Sequence, residues 1–340
     1  MTFDKTTELS VLESAAEAGD PGALCELGWR FKRGLGVARD EKRAFASFLR
    51  AAESDDPAAL NHVGLCYSDG VGVRRDEAAA CRYYRKAAER GFAPAQNNLG
   101  WMYLTGSGVK KSLGAAVRWF RKASEQGHAE ALNNLAYCFQ NGLGVPKNQE
   151  EANRCYQEAA EAGLVEAAVN LANNYMSGVG VKVDYARAAE LLEQAAASGL
   201  ATAQNNLAYL YSHGLGVERS PERAFALYQS AAEQGCAEAY TPLAEHYEQG
   251  LGVTQNLDLA AKYYQFAARF GVAYAARKYQ ELSSRPSAKS KLGNFLAEIG
   301  DETERLDLSV GAALEVKDAQ ERIAAKKEEL RKRKEEEEEK

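Results

Sequence analysis

Apolar residues recur along this chain at the spacing of one helical face, in stretches bounded by glycine. Over residues 93–105 the stripe is Ala95, Leu99 and Tyr103, four residues apart each time. Over the next stretch Ala116 and Phe120 repeat the spacing. Small and polar residues separate the two, which predicts two short antiparallel helices, A then B. The whole pattern returns with a 36-residue period.

The connecting loop fixes the register. A Gly-x-Gly-Val tetrad begins at Gly34, Gly70, Gly106, Gly142, Gly178, Gly214 and Gly250, without insertion. The first glycine is expected to close helix A in the left-handed conformation, where a Cβ is costly. The second lets the chain turn, and the valine is expected to sit between the paired helices. Three residues past each valine stands a helix-capping type: Asp40, Asp76, Ser112, Asn148, Asp184, Ser220 and Asn256. Helix B then carries alanine from Ala44 to Ala260 at one position and a large residue four later: Phe48, Tyr84, Phe120, Tyr156, Leu192, Tyr228 and Tyr264. Helix A holds a small residue before its aromatic, as Gly28, Gly64, Gly100 and Ala136, which predicts close approach of helix B. Residues 8–18 and 273–283 read as a lone helix B and a lone helix A that end the array. One helix pair of this length cannot bury its apolar face alone, so each pair must stack on the next.

These motifs resemble the Sel-1-like repeat family, a relative of the tetratricopeptide repeats. The resemblance rests on the tetrad, on Leu-Gly/Ala-x-x-Tyr in helix A, and on Tyr-x-x-Ala-Ala in helix B running to Glu125-Gln126-Gly127 and Glu233-Gln234-Gly235. It implies an all-α, right-handed α/α superhelical solenoid of about seven 36-residue helix-pair repeats, its concave face lined by A helices. The expected organisation is a solenoid over residues 8–283, a capping segment over 284–300 and a charged tail over 301–340. Leu292, Phe295, Leu296 and Ile299 give the cap an amphipathic pattern; Arg331–Lys334 followed by five glutamates reads as a solvated tail, helical or partly disordered, with a nuclear-import or anionic-partner patch as the alternative.

Composition narrows the function classes. The net charge is −6, which argues against a nucleic-acid reader. No stretch reaches the length and apolarity of a membrane span, and no secretory leader is visible at Met1, so the expected location is cytoplasmic. The six cysteines form no CxxC pair and the four histidines no i, i+4 pair, so neither a metal site nor a cofactor is expected. Gly-x-Gly-Val lies between helices, not after a strand, so it is no dinucleotide fingerprint. No catalytic residue is assigned. Some secreted family members have been linked to β-lactam binding or hydrolysis, but those carry a regular cysteine pair in each repeat, which is lacking here.

The remaining lead is the polar and aromatic row on the A helices, away from the core stripe. The candidate binding positions are Asn61, Leu65, Asn97, Trp101, Leu104, Asn133, Tyr137, Gln140, Asn173, Asn205 and Tyr209. Asparagine offers both donor and acceptor to a peptide backbone, and exposed aromatics anchor partners. A neighbouring row, Asn98, Asn134, Asn170 and Asn206, lies nearer the core and reads as structural. Pro242 falls in that row and is expected to kink or shorten its helix. The reading is a scaffold or adaptor for a peptide or protein. The alternatives are a hydrolase working in the same groove and a structural spacer.

Overall fold

A computed structural model describes residues 7–285. The capping pattern beyond Arg285 and the charged tail lie outside them. Among the described residues there are 16 α-helices and no strand. The B-type helices are α1 (Leu9–Glu17), α3 (Glu41–Ala51), α5 (Glu77–Glu89), α7 (Leu113–Ser124), α9 (Gln149–Glu161), α11 (Tyr185–Ala197), α13 (Pro221–Glu233) and α15 (Leu257–Arg269). The A-type helices are α2 (Pro21–Arg33), α4 (Pro57–Asp69), α6 (Ala93–Thr105), α8 (Ala129–Asn141), α10 (Val165–Ser177), α12 (Ala201–His213), α14 (Ala237–Gln249) and α16 (Ala273–Ser283). This is an all-α array of helix-pair repeats. Contacts divide the chain into two units, Met1–Leu191 and Leu192–Lys340.

The loops explain the strict period. The first tetrad glycine takes the left-handed conformation at the end of every A helix from α2 to α14, as at Gly106 with φ +86°. The chain then doubles back, and the capping residue's own amide donates to the carbonyl of the helix-A aromatic. Ser112 N reaches Tyr103 O at 2.9 Å, and the same bond recurs from Asp40 N–Phe31 O to Asn256 N–Tyr247 O. The capping side chains act as their types predict in six of seven loops: Asp76 accepts from Ala79 N at 2.8 Å, Asn148 from Glu151 N at 3.0 Å and Ser220 from Arg223 N at 3.3 Å. Ser112 is the exception, since its hydroxyl makes no capping bond.

In the first unit α2, α4, α6 and α8 each pack against the B helix of their own repeat and against the preceding B helix, as α6 does with α7 and α5. The core is built on the helix-B series: Phe48, Tyr84, Phe120 and Tyr156 are at most 3% exposed. The small helix-A residue makes room for them. A Cβ on Gly100 would stand 2.7 Å from the Phe120 ring, and one on Gly64 2.6 Å from the Tyr84 ring. The helix-A aromatics pack less completely than the stripe predicts: Phe31 is buried, but Tyr67, Tyr103, Phe139 and Tyr175 are half-buried. The Tyr103 hydroxyl accepts from Arg85 at 3.1 Å, holding the ring at the margin of the core.

The second tetrad glycine does more than turn the chain. A Cβ on Gly108 would lie 2.2 Å from the Glu77 carbonyl oxygen, and one on Gly144 2.4 Å from that of Leu113. From Gly72 to Gly180 each loop therefore sits directly on the first turn of the preceding repeat's helix B, whereas a Cβ on Gly36 would meet nothing within 4 Å. The second unit repeats the contact, Gly252 facing Pro221 at 2.4 Å. There Tyr228, Leu243 and Tyr264 fill the core, at 3% exposure or less. α14 keeps 13 residues in spite of Pro242, so the expected shortening does not occur. Asp55 replaces the glycine that closes helix B in other repeats; it takes φ +62° and is ion-paired to Arg90.

Candidate functional site

The A helices of the first unit are joined by a ladder of asparagines. Asn98 Nδ2 donates to Asn61 Oδ1 at 3.0 Å, Asn134 to Asn97 at 2.8 Å and Asn170 to Asn133 at 3.0 Å. Each rung spans 37 residues, one more than the repeat, because neighbouring A helices are staggered by one position. The row that reads as structural donates, and the row read as binding accepts. Each accepting asparagine then has its amide nitrogen directed away from the rung, and each donor its carbonyl oxygen. The ladder thereby fixes which way these side-chain amides point.

The ladder stops at His62 on its N-terminal side. His62 stands where Asn98 stands one repeat later. Its Nε2 accepts from the Trp29 indole at 3.4 Å, and its Nδ1 is buried without a partner. Burial, helped by the nearby Lys32 charge, pushes the His62 pKa down to about 4, so the ring is neutral near pH 7. In the second unit Asn205 donates to its neighbour Asn206 at 3.1 Å. Tyr209, 42% exposed, packs against the His213 ring at 4.3 Å.

Between α6, α8 and α10 the first unit opens into a cavity of about 860 Å³. Six of the candidate positions line it: Trp101, Leu104, Asn133, Tyr137, Gln140 and Asn173. Trp101 is 50% and Tyr137 46% exposed, large apolar surfaces left open to solvent. Asn173 is exposed as well. Leu104, in contrast, is buried at 8% and contributes to the floor. Asn61 is buried at 4%, its oxygen occupied by Asn98, so it lies inside the ladder and not on an open surface. Asn97 is half-buried and Leu65 packs against the core of its repeat; neither lines the cavity.

The pattern of the A helices missed part of the lining. Lys111, Leu113 and Leu143 come from the tetrad loops and the start of α7, and Tyr156 from α9. Asn174 is buried beneath the wall, donating to Asn153 at 2.7 Å, while Asn153 donates to Val179 O at 2.8 Å. These contacts depend on how far each loop folds back over its repeat, which spacing along one helix does not reveal.

Electrostatically the cavity is sparse. Lys111 is its one charged side chain, and neither carboxylate nor histidine lines it. Burial, with Tyr137 adding to it, pushes the Tyr156 pKa up to about 12, so this phenol stays protonated. The surface thus offers two exposed aromatic faces, oriented amides and one cation. Among the described residues no group of three or more His, Cys, Asp or Glu is placed to hold a metal. All six cysteines are free thiols, and burial raises Cys66, Cys138 and Cys155 to about 11. No helix among the described residues is long and apolar enough to cross a membrane.

Comparison with known proteins agrees with the repeat register. The family model for the Sel1 repeat matches residues 21–56, 57–92, 93–128, 129–164, 165–200, 201–236 and 237–271 in succession. The crystal structure of c5321, a protective antigen of uropathogenic Escherichia coli displaying an SLR fold, is 34% identical with a TM-score of 0.71. That match covers 83% of this chain, which spans 60% of the antigen's length. A Sel1 repeat protein from Oxalobacter formigenes is 33% identical with a TM-score of 0.63, covering 72% of this chain and 96% of its own. No curated protein matches at a significant level.

Proposed function

The chain belongs to the Sel1 repeat family, and from that premise we propose that it is a protein-interaction scaffold that holds an extended peptide across α6, α8 and α10. The observation that carries this reading is the pair of half-exposed aromatics, Trp101 and Tyr137, opening onto one cavity. Both occupy the same register one repeat apart. Aromatic side chains bring large contact area at little conformational cost, which is why they dominate binding hot spots. The amides between them are oriented by the ladder, so a peptide backbone meets donors and acceptors that are already in place.

The cavity also weighs against the hydrolase alternative. Proton transfer near neutral pH needs a group that titrates there, positioned beside a nucleophile or a water. Lys111, Tyr137 and Tyr156 are the titratable side chains of the lining, and none of them pairs with a carboxylate or histidine in it. A spacer, for its part, has no use for two solvent-facing aromatics opening onto one cavity. As an adaptor the protein would work in the cytoplasm, the compartment in which six unpaired cysteines are unremarkable.

Selection of peptides on the immobilised protein, followed by calorimetry of the enriched sequences, tests the reading. Trp101→Ala and Tyr137→Ala are each expected to weaken a selected peptide by more than about tenfold, as hot-spot truncations do. The double variant should keep its helical melting curve. A selection that enriches nothing, or peptides that bind the double variant as tightly as the parent, would sink the proposal.

A further inference from the structure

The B helices of the first unit carry a second, chemically distinct surface. α7 contains three exposed cations, Arg118, Arg121 and Lys122, and no acidic residue. One repeat earlier α5 presents Arg82, Arg85 and Lys86 at the identical positions, also exposed. None of these six takes part in an ion pair among the described residues, whereas Arg75, Arg90, Arg154 and Arg187 all do. Two of them are laid over aromatic rings in matching fashion. Lys122 Nζ stands 4.6 Å from the Trp119 ring centre and Lys86 Nζ 5.7 Å from that of Tyr83.

Apart from Arg85, whose guanidinium also holds the Tyr103 hydroxyl, these cations work against the fold. Arg82 and Lys86, like Arg118 and Lys122, are like charges at i, i+4, which disfavours a helix. At the same register α13 manages with Ala226, Gln229 and Ser230 and has the same helical form as α5. The chain as a whole is acidic, at −6, so the patch runs against its overall charge. Its limit is sharp toward α9 and softer toward α3, where Arg50 keeps the register of Lys86. In α9 the register of Lys86 and Lys122 is taken by Glu158, and Arg154 is neutralised by Glu151 and Glu158. On the other side, in α3, Ala46 and Leu49 replace the two arginines.

We infer that the α5–α7 face is a docking surface for a short acidic segment of a partner protein, separate from the A-helix cavity. The extent of the patch selects this class of polyanion. A nucleic acid or a membrane sheet continues past two repeats and meets Glu150, Glu158 and Glu161 of α9, where like charges oppose it. A short run of aspartate and glutamate ends before that boundary. Two arginines per helix can grip carboxylates bidentately, and the lysines seated on Trp119 and Tyr83 supply fixed positive charge.

The test is fluorescence anisotropy of the full chain with a labelled oligoglutamate peptide, at low and at physiological salt. The expected result is saturable binding that weakens with salt and falls by more than about tenfold in the R82Q/K86Q/R118Q/K122Q variant. Trp101→Ala/Tyr137→Ala must leave it unchanged, so this inference and the cavity reading fail independently. The charge variant should fold, since glutamine is well tolerated on an exposed helix face; its circular dichroism melt confirms this. Absence of peptide binding, or equal binding by the charge variant, overturns the inference. So does tighter binding of an oligothymidylate or of phosphatidylserine vesicles than of the peptide.

Discussion

Gly108→Ala isolates the contact between successive repeats, because a second glycine supplies its control. Gly108 and Gly91 both have positive φ, +64° and +87°. Forcing alanine into that conformation costs about 1–2 kcal/mol at either site. At Gly91 that is the whole effect, since nothing lies within 4 Å of the added methyl. At Gly108 the methyl would meet the Glu77 carbonyl oxygen at 2.2 Å, its carbon at 2.3 Å and Ala78 N at 2.7 Å. These are backbone atoms at the start of α5, so relief requires the loop to lift from the preceding repeat. Overpacking of this kind adds about 1–3 kcal/mol. The expected totals are therefore roughly 2–5 kcal/mol for Gly108→Ala against about 1–2 for Gly91→Ala. Urea denaturation followed by circular dichroism measures both. Equal midpoints for the two variants would refute the argument that the loop's close seat, and not its dihedral angle, requires the glycine.

Ser112→Asp should raise stability by about 0.5–1 kcal/mol, because Ser112 is the one N-cap of the series that makes no side-chain bond while Asp76 at the same register does; thermal denaturation reads it. Asn134→Ala removes a rung of the ladder and should cost about 1 kcal/mol, with Asn97 left to find water, again by denaturation. His62 gives a pH dependence whose sign follows from its pKa of about 4, below the usual 6.5. The unfolded chain takes up this proton first, so stability is complete above pH 6.5 and declines as the pH falls toward 4, by at most roughly 3 kcal/mol. His62→Gln should flatten that slope in denaturation curves taken between pH 4 and 7.

The repeat was legible because its determinants are local. A left-handed glycine, an N-cap and an alanine–aromatic pair each act within a few residues, and their recurrence puts them in one register. Contacts between repeats were only partly legible. The 36-residue period aligns Asn97 with Asn61, yet the hydrogen bond to Asn61 comes from Asn98. That offset is a property of helix stagger and appears only in three dimensions. For the same reason Asn61 and Leu104 read as surface on a single helix but are covered by their neighbours. Trp101 and Tyr137 are exposed, as their place well away from the core stripe implies. The basic face of α5 and α7 is plain in the residue types, but whole-chain charge hid it by averaging over the acidic helices that follow.

Besides the packing of A helices on the preceding B helices, successive repeats share two joints that differ in what they demand of their neighbours. The seat of Gly108 on Glu77, or of Gly144 on Leu113, is made to a carbonyl group that every amino acid carries. It accepts any adjoining unit. The asparagine rung accepts only a unit with the matching amide, and it is missing where His62 stands. Units can therefore be excised, duplicated or exchanged as cassettes without disturbing the mechanical joint. Continuity of the amide track then depends on which cassettes are adjacent, and under the proposed function their order sets the length of peptide held.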